Sequence, residues 1–196
     1  GPAGANLPSK AIMSLGSTNN NLRRNSGNTI SHNNIYDFFL ATGSTSGIYI
    51  YNGNDDWTID NNRLYQSGTR SFSAADFRYA GISLNTVTRP GKFTVSSNII
   101  GFANAAGTST TTINGTGGPG RQNEIRGIDA IAVNTLAATT INGNLISGFH
   151  QTTSRRETPL VNSCFIGIAL GTSTAGGSFQ CGTTSGNTIG SLDASS

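Results

Sequence analysis

One seven-residue pattern constrains this chain more than any other feature: Thr, then Ile or Val, two residues, Asn, one residue, then Ile or Leu. It occurs at Thr29-Ile30-Ser31-His32-Asn33-Asn34-Ile35, Thr58-Ile59-Asp60-Asn61-Asn62-Arg63-Leu64, Thr94-Val95-Ser96-Ser97-Asn98-Ile99-Ile100 and Thr140-Ile141-Asn142-Gly143-Asn144-Leu145-Ile146. A degenerate copy lies at Gly186-Asn187-Thr188-Ile189. A second element alternates with it: Gly47-Ile48-Tyr49-Ile50, Gly81-Ile82-Ser83-Leu84, Gly127-Ile128-Asp129-Ala130 and Gly167-Ile168-Ala169-Leu170. Apolar runs this short cannot make helices. Period-two alternation broken by Gly and Asn is the mark of short strands joined at corners.

The Gly-led elements begin 34, 46 and 40 residues apart. Strands that keep their pattern while the linking segments vary in length describe a solenoid whose insertions leave the stack. The expected fold is all-β: a right-handed parallel β-helix of about five coils with variable loops. Parallel strands stack about 4.8 Å apart, so equivalent side chains form ladders. Ile48, Ile82, Ile128 and Ile168 would make one inward ladder, Ile59, Val95 and Ile141 a second, and Leu64, Ile100 and Ile146 a third. Asn33, Asn62, Asn98 and Asn144 would stand at corners, where Asn tolerates left-handed backbone and its amide can bond the next Asn along the stack.

Composition excludes several classes. Charged residues are only 11% of the chain, and its Lys and Arg are scattered apart from Arg23-Arg24 and Arg155-Arg156. No basic run interleaves with aromatics, so a nucleic-acid partner is not expected. No stretch of 18 apolar residues is present to span a membrane as a helix. Cys164 and Cys181 lack a second ligand pair, which argues against zinc and for a disulfide in an extracellular, secreted or cell-surface protein. Gly1-Pro2-Ala3-Gly4 resembles a remnant of protease cleavage. Residues 1–19 therefore read as that remnant and a lead-in, and 20–196 as a single β-helix domain, a piece of a longer array. Neither end carries a capping helix, so end-to-end or homo-oligomeric contacts are expected.

The Gly-Ile-x-Ile strands, with Ser-Gly-Asn-Thr-Ile and Ile-x-x-Asn-x-Ile segments, resemble the parallel β-helix repeats of the pectin-lyase-like superfamily over roughly residues 20 to 192. They look most like the Asn-Thr-Ile-rich arrays of large secreted or surface-attached bacterial proteins. That resemblance implies a fold shared by polysaccharide lyases, glycoside hydrolases, tailspikes and adhesins, so function has to come from a site. Family glycosidases look like paired aspartates with Gly-His-Gly and Arg-Ile-Lys segments. Here Asp55 and Asp56 are adjacent, but neither His32 nor His150 has the flanking glycines, and Arg-Ile-Lys is absent. Family lyases use calcium on acidic residues with a basic partner, which Asp55, Asp56, Asp60 and Arg63, or Arg78, could supply.

Tyr49, Tyr51, Trp57 and Tyr65 are the candidate ligand-binding residues, since alternation sends Tyr49 and Tyr51 outward and exposed rings stack on sugars. An outward Thr29, Thr58, Thr94, Thr140 column reads as solvated strand surface. The leading expectation is an extracellular scaffold or adhesive module without a cofactor, meeting a polysaccharide or cell-surface glycan. A lyase or hydrolase acting on acidic polysaccharide, with calcium possible at Asp55, Asp56 and Asp60, and a carbohydrate-binding module are the alternatives.

Overall fold

A computed structural model describes residues 7–17, 24–86, 91–116, 123–131, 137–152, 165–171 and 177–190. The described residues are all-β and contain no helix. The first sheet runs β1 (Lys10–Ser14), β5 (Thr45–Tyr51), β10 (Arg78–Asn85), β14 (Glu124–Ile131) and β18 (Phe165–Gly171). The second holds β3 (Thr29–Ser31), β7 (Trp57–Asp60), β11 (Phe93–Ser96), β15 (Thr139–Asn142) and β19 (Phe179–Cys181). The third holds β4 (Asn34–Tyr36), β8 (Arg63–Tyr65), β12 (Ile99–Gly101), β16 (Leu145–Ser147) and β20 (Thr188–Ile189). Every pairing is parallel, and the chain visits each of these sheets once per circuit. Such stacked parallel sheets are compatible with a parallel β-helix.

The three expected ladders form, and each is longer than the repeat indicated. Ile12, Ile48, Ile82, Ile128 and Ile168 stand in register. So do Ile30, Ile59, Val95, Ile141 and Cys181, and Ile35, Leu64, Ile100, Ile146 and Ile189. Their middle members are fully buried, each such side chain contributing about 1.5 to 3 kcal/mol relative to exposure. The degenerate last copy is split. Thr188-Ile189 continues the third sheet, while the second-sheet strand of that circuit is Phe179-Gln180-Cys181.

Two expectations are corrected. The linking segments are not plain loops, because β9 (Arg70–Ser71), β13 (Thr111–Asn114) and β17 (Phe149–Thr152) form a further parallel sheet, and β2 (Asn25–Ser26) pairs with β6 (Asn54–Asp55). Thr111-Thr112-Ile113-Asn114 has the same sequence as Thr139-Thr140-Ile141-Asn142 and buries Ile113 as that copy buries Ile141. Nor does glycine lead the long strands; it bends them in the middle. In β10 Tyr79, Ile82 and Leu84 are buried in the core, and a Cβ on Gly81 would also point inward, 2.4 Å from Ile100 Cγ2. Two successive inward positions break the alternation, which folds the strand at an elbow. Gly47, Gly127 and Gly167 meet Leu64, Ile146 and Ile189 in the same way, at 2.5 to 2.6 Å, so no side chain fits at any of them.

The Asn corners are also rearranged. The left-handed residue is the one before the Asn: His32, Asn61, Ser97 and Gly143, with φ between 55° and 64°. This frees each Asn to turn its side chain inward, where Asn62, Asn98 and Asn144 are at most 1% exposed. Asn33 N and Nδ2 donate to Asn62 Oδ1, both at 3.0 Å. The same pair of bonds joins Asn62 to Asn98, Asn98 to Asn144 and Asn144 to Asn187. The second amide hydrogen donates back one circuit, from Asn62 to Ile30 O, Asn98 to Ile59 O and Asn144 to Val95 O, at 2.8 to 3.0 Å. Each buried amide therefore has both donors and both acceptor sites filled.

Asn98→Ala removes four such bonds, taking from the buried Asn62 backbone N–H and one Asn62 amide hydrogen the acceptor they share, so a loss of about 3 to 5 kcal/mol is expected in urea unfolding. Asn33→Ala, at the exposed end of the column, is expected to cost about 1 kcal/mol.

Candidate functional site

The structure places the four candidate aromatic residues on three different sheets. Tyr49 and Tyr51 point outward from β5, flanking buried Ile50, with rings 5.9 Å apart and 16° from parallel. Trp57 pairs with Phe93 on the core side of the second sheet, half-buried, and its Nε1 donates to Asn25 O at 2.9 Å. Tyr65 lies on the third sheet and stacks on Tyr36 at 5.1 Å and 8°. Alternation gave the outward direction of Tyr49 and Tyr51, but nearness in sequence does not bring Trp57 and Tyr65 to the same surface.

The acidic candidates are similarly spread. Asp55 Oδ1 accepts the Lys92 backbone N–H at 2.8 Å, and Arg24 NH1 lies 3.8 Å from its Oδ2. Asp56 is an exposed left-handed corner residue, φ 55°, paired with Lys92 Nζ at 3.1 Å. Asp60 extends outward from the second sheet beside Ser31 and Ser96, and its Oδ2 accepts from Asn61 Nδ2. Arg63 stands on the third sheet. Among the described residues no three His, Cys, Asp or Glu side chains group to hold a metal ion, these aspartates included.

Arg78 belongs to a different cluster. At the elbow of the first sheet, Arg78 Nε donates to Glu124 Oε2 at 3.1 Å and its NH1 to Asp129 Oδ2 at 3.0 Å. Arg126 joins the same two acids, at 2.9 Å to Glu124 and 2.7 Å to Asp129. The arginines stand before the bend and Asp129 after it, so these bonds span the elbow. Burial pulls the Arg126 guanidinium down, but bonding to Asp129 and Glu124 outweighs it and raises the group above its ordinary value. Beside this network is a pocket of about 210 Å³ lined in part by Lys10, Tyr49, Arg78, Ser83, Asn85 and Asp129. Lys10 Nζ sits 5.2 Å from the centre of the Tyr49 ring. Burial raises the Tyr49 hydroxyl above its ordinary value, opposed by a bond with Asn85.

A second polar cluster is internal. Arg70 occupies the position equivalent to Ile113 and is only 2% exposed. Its Nε donates to Gln66 Oε1 at 2.8 Å and its NH2 pairs with Asp37. Ser67 N and Oγ also donate to the Asp37 carboxylate, at 2.9 and 2.6 Å. Burial alone would raise Asp37, but the Ser67 bonds and the Arg70 charge outweigh it and hold the carboxyl below its ordinary value. Neither cluster was singled out by the repeat. Glu124-Ile125-Arg126-Gly127-Ile128-Asp129, charges alternating with core residues, was the signal for the elbow network.

Thr29, Thr58, Thr94 and Thr140 do align on the outer face of the second sheet. Cys181 is exposed and accepts a bond from Asn187 Nδ2 at 3.4 Å; Cys164, its expected disulfide partner, lies outside the described residues. No described helix is long and apolar enough to cross a membrane. Compared with protein-family models, curated proteins and solved structures, the chain matches none.

The Asp37 result sets a pH dependence. A carboxyl whose folded pKa is depressed contributes stability that is complete above its ordinary value of 3.8 and is lost as pH falls through the folded value. Denaturant unfolding between about pH 6 and pH 2 should show this acid loss in the wild type, whereas Asp37→Asn should be less stable at neutral pH and show a flatter profile.

Proposed function

We propose that the chain is a right-handed parallel β-helix of the pectin-lyase-like kind that works outside the cell as a stiff scaffold or surface-interaction module. The observation that carries this reading is the buried Asn column. Each circuit is bonded to the next through three sheets and through a column of side chains with no spare donor or acceptor in its middle. Bending or slipping one circuit breaks bonds that water cannot replace, so stiffness follows from the construction. The right hand follows from the strong preference of parallel crossovers in a right-twisted sheet.

The acidic residues support the same reading. Asp55 and Asp56 bond a neighbouring segment at Lys92, Asp129 and Glu124 neutralise two arginines, and Asp37 anchors a buried one. Each has a structural partner, and chemistry on a glycosidic bond needs acids facing a sugar across open space. The Ser-, Thr-, Asn- and Gly-rich composition suits an extracellular setting, where a glycan-bearing surface is the partner.

Two measurements test the proposal. Solution scattering should give the radius of gyration of a straight, rigid particle, unchanged between low and moderate salt. Incubation with acidic polysaccharides should release neither new reducing ends nor unsaturated ends. Turnover that disappears in Asp55→Asn or Asp60→Asn would replace the scaffold with an enzyme.

A further inference from the structure

We propose that Tyr36 and Tyr65 form a site of oxidative cross-linking, at which a one-electron oxidant joins the two rings as dityrosine and so ties neighbouring circuits covalently. The chain has five tyrosines. Tyr79 is fully buried in the core, and the other four stand as two pairs of stacked rings, Tyr36 with Tyr65 and Tyr49 with Tyr51. Tyr36 and Tyr65 are 29 positions apart in sequence, yet the pairing of Ile35 with Leu64 brings them side by side on adjacent strands. Their rings lie 5.1 Å apart and 8° from parallel. The backbone holds both ends of this contact: Arg63 N donates to Asn33 O at 2.8 Å before it, and Asp37 N to Tyr65 O at 3.3 Å after it. A radical formed on either ring therefore always has a second phenol within reach, at an effective concentration far above that of phenols on other chains.

With hydrogen peroxide as oxidant and a peroxidase to deliver it, each phenol gives up one electron and one proton. The two phenoxyl radicals, each delocalised onto the Cε carbons beside its oxygen, pair to form one carbon–carbon bond between the rings. The hydrogens on the bonded carbons then move to the oxygens and restore both phenols, while the peroxide takes up two electrons and two protons and leaves as two waters. Bonding Cε to Cε requires one ring to tilt out of the stack. Tyr36 is 53% exposed, and β4 has a single neighbour in its sheet among the described residues, so this is the ring that can move and that the oxidant reaches.

Tyr49 and Tyr51 are the less reactive pair for two physical reasons. They share one strand, where outward neighbours sit about 6.6 Å apart at the backbone, and their rings are 5.9 Å apart. Lys10 Nζ lies 5.2 Å from the centre of the Tyr49 ring, and a cation there opposes the loss of an electron. Selectivity between the pairs is thus set by the fold, which stacks one pair across two strands and places a charge over the other.

The test treats the whole chain, its thiols alkylated beforehand, with peroxidase and hydrogen peroxide at low micromolar protein, and reads intact mass, dityrosine fluorescence and cross-linked peptides. The monomer is expected to lose two hydrogen atoms and to yield one cross-linked peptide pair, containing Tyr36 and Tyr65. Tyr36→Phe and Tyr65→Phe keep the stacked ring but remove the phenol, so each should abolish the cross-link, whereas Tyr51→Phe should leave it unchanged. Because the bond closes a loop of about thirty residues, the treated chain should unfold roughly 5 to 10 °C higher than the untreated one, a shift absent from Tyr36→Phe. Dityrosine formed only between chains, or a cross-link that persists in Tyr36→Phe, would overturn the proposal. So would the absence of any cross-link under conditions that couple free N-acetyltyrosine.

Discussion

The column of Asn side chains is the constraint on which the rest of this structure depends. A side-chain amide buried at a corner is costly unless both hydrogens and both lone-pair sites are used. Here Asn62, Asn98 and Asn144 meet that condition only when successive circuits sit directly over one another. The requirement fixes register: a slip by one residue would turn every apolar ladder outward and orphan each amide together. It also explains the left-handed residue just before each Asn, because the backbone must turn there for the side chain to enter the core. The varied lengths of the linking segments are then tolerated, since register is re-established at every corner.

The glycine elbow is the complementary device. The third-sheet ladder fills the space behind each Gly, so a residue without Cβ is needed for the two sheets to close on each other. The bend places residues before and after it side by side on the outer face. Arg78 and Arg126 can thus share Asp129, and the resulting network borders a charged recess on that face. Buried ion pairs contribute little net stability unless every group is satisfied. Both the elbow network and the Asp37–Arg70 pair meet that standard through several partners each. Their value lies in specifying geometry: one holds an elbow open to solvent, the other fills a core position that Ile113 occupies one circuit later.

Much of the architecture was legible because ladders are a local property repeated. Ile48, Ile59 and Leu64 announce their faces through period-two alternation, and their equivalents recur at the same offsets, so sheets and registers could be read directly. The outward direction of Tyr49 and Tyr51 came from the same alternation. The fourth sheet was missed although Thr111-Thr112-Ile113-Asn114 has the sequence of another strand, because its neighbours Arg70-Ser71 and Phe149-His150-Gln151-Thr152 share no pattern with it.

What the sequence determined by itself was which residues face the core and which columns they join, since alternation and repeat spacing are encoded within a few residues. Only the tertiary structure decided which surface residues become neighbours. Tyr49 and Trp57 are eight positions apart and stand on different sheets, whereas Arg78 and Asp129 are 51 apart and share a hydrogen bond. The reason is physical: direction along a strand is set locally by the pleat, but proximity across the stack is set by how many residues each circuit spends before it returns. The Asn column belongs to both categories, its positions written in the repeat and its complete hydrogen bonding realised only when the circuits stack.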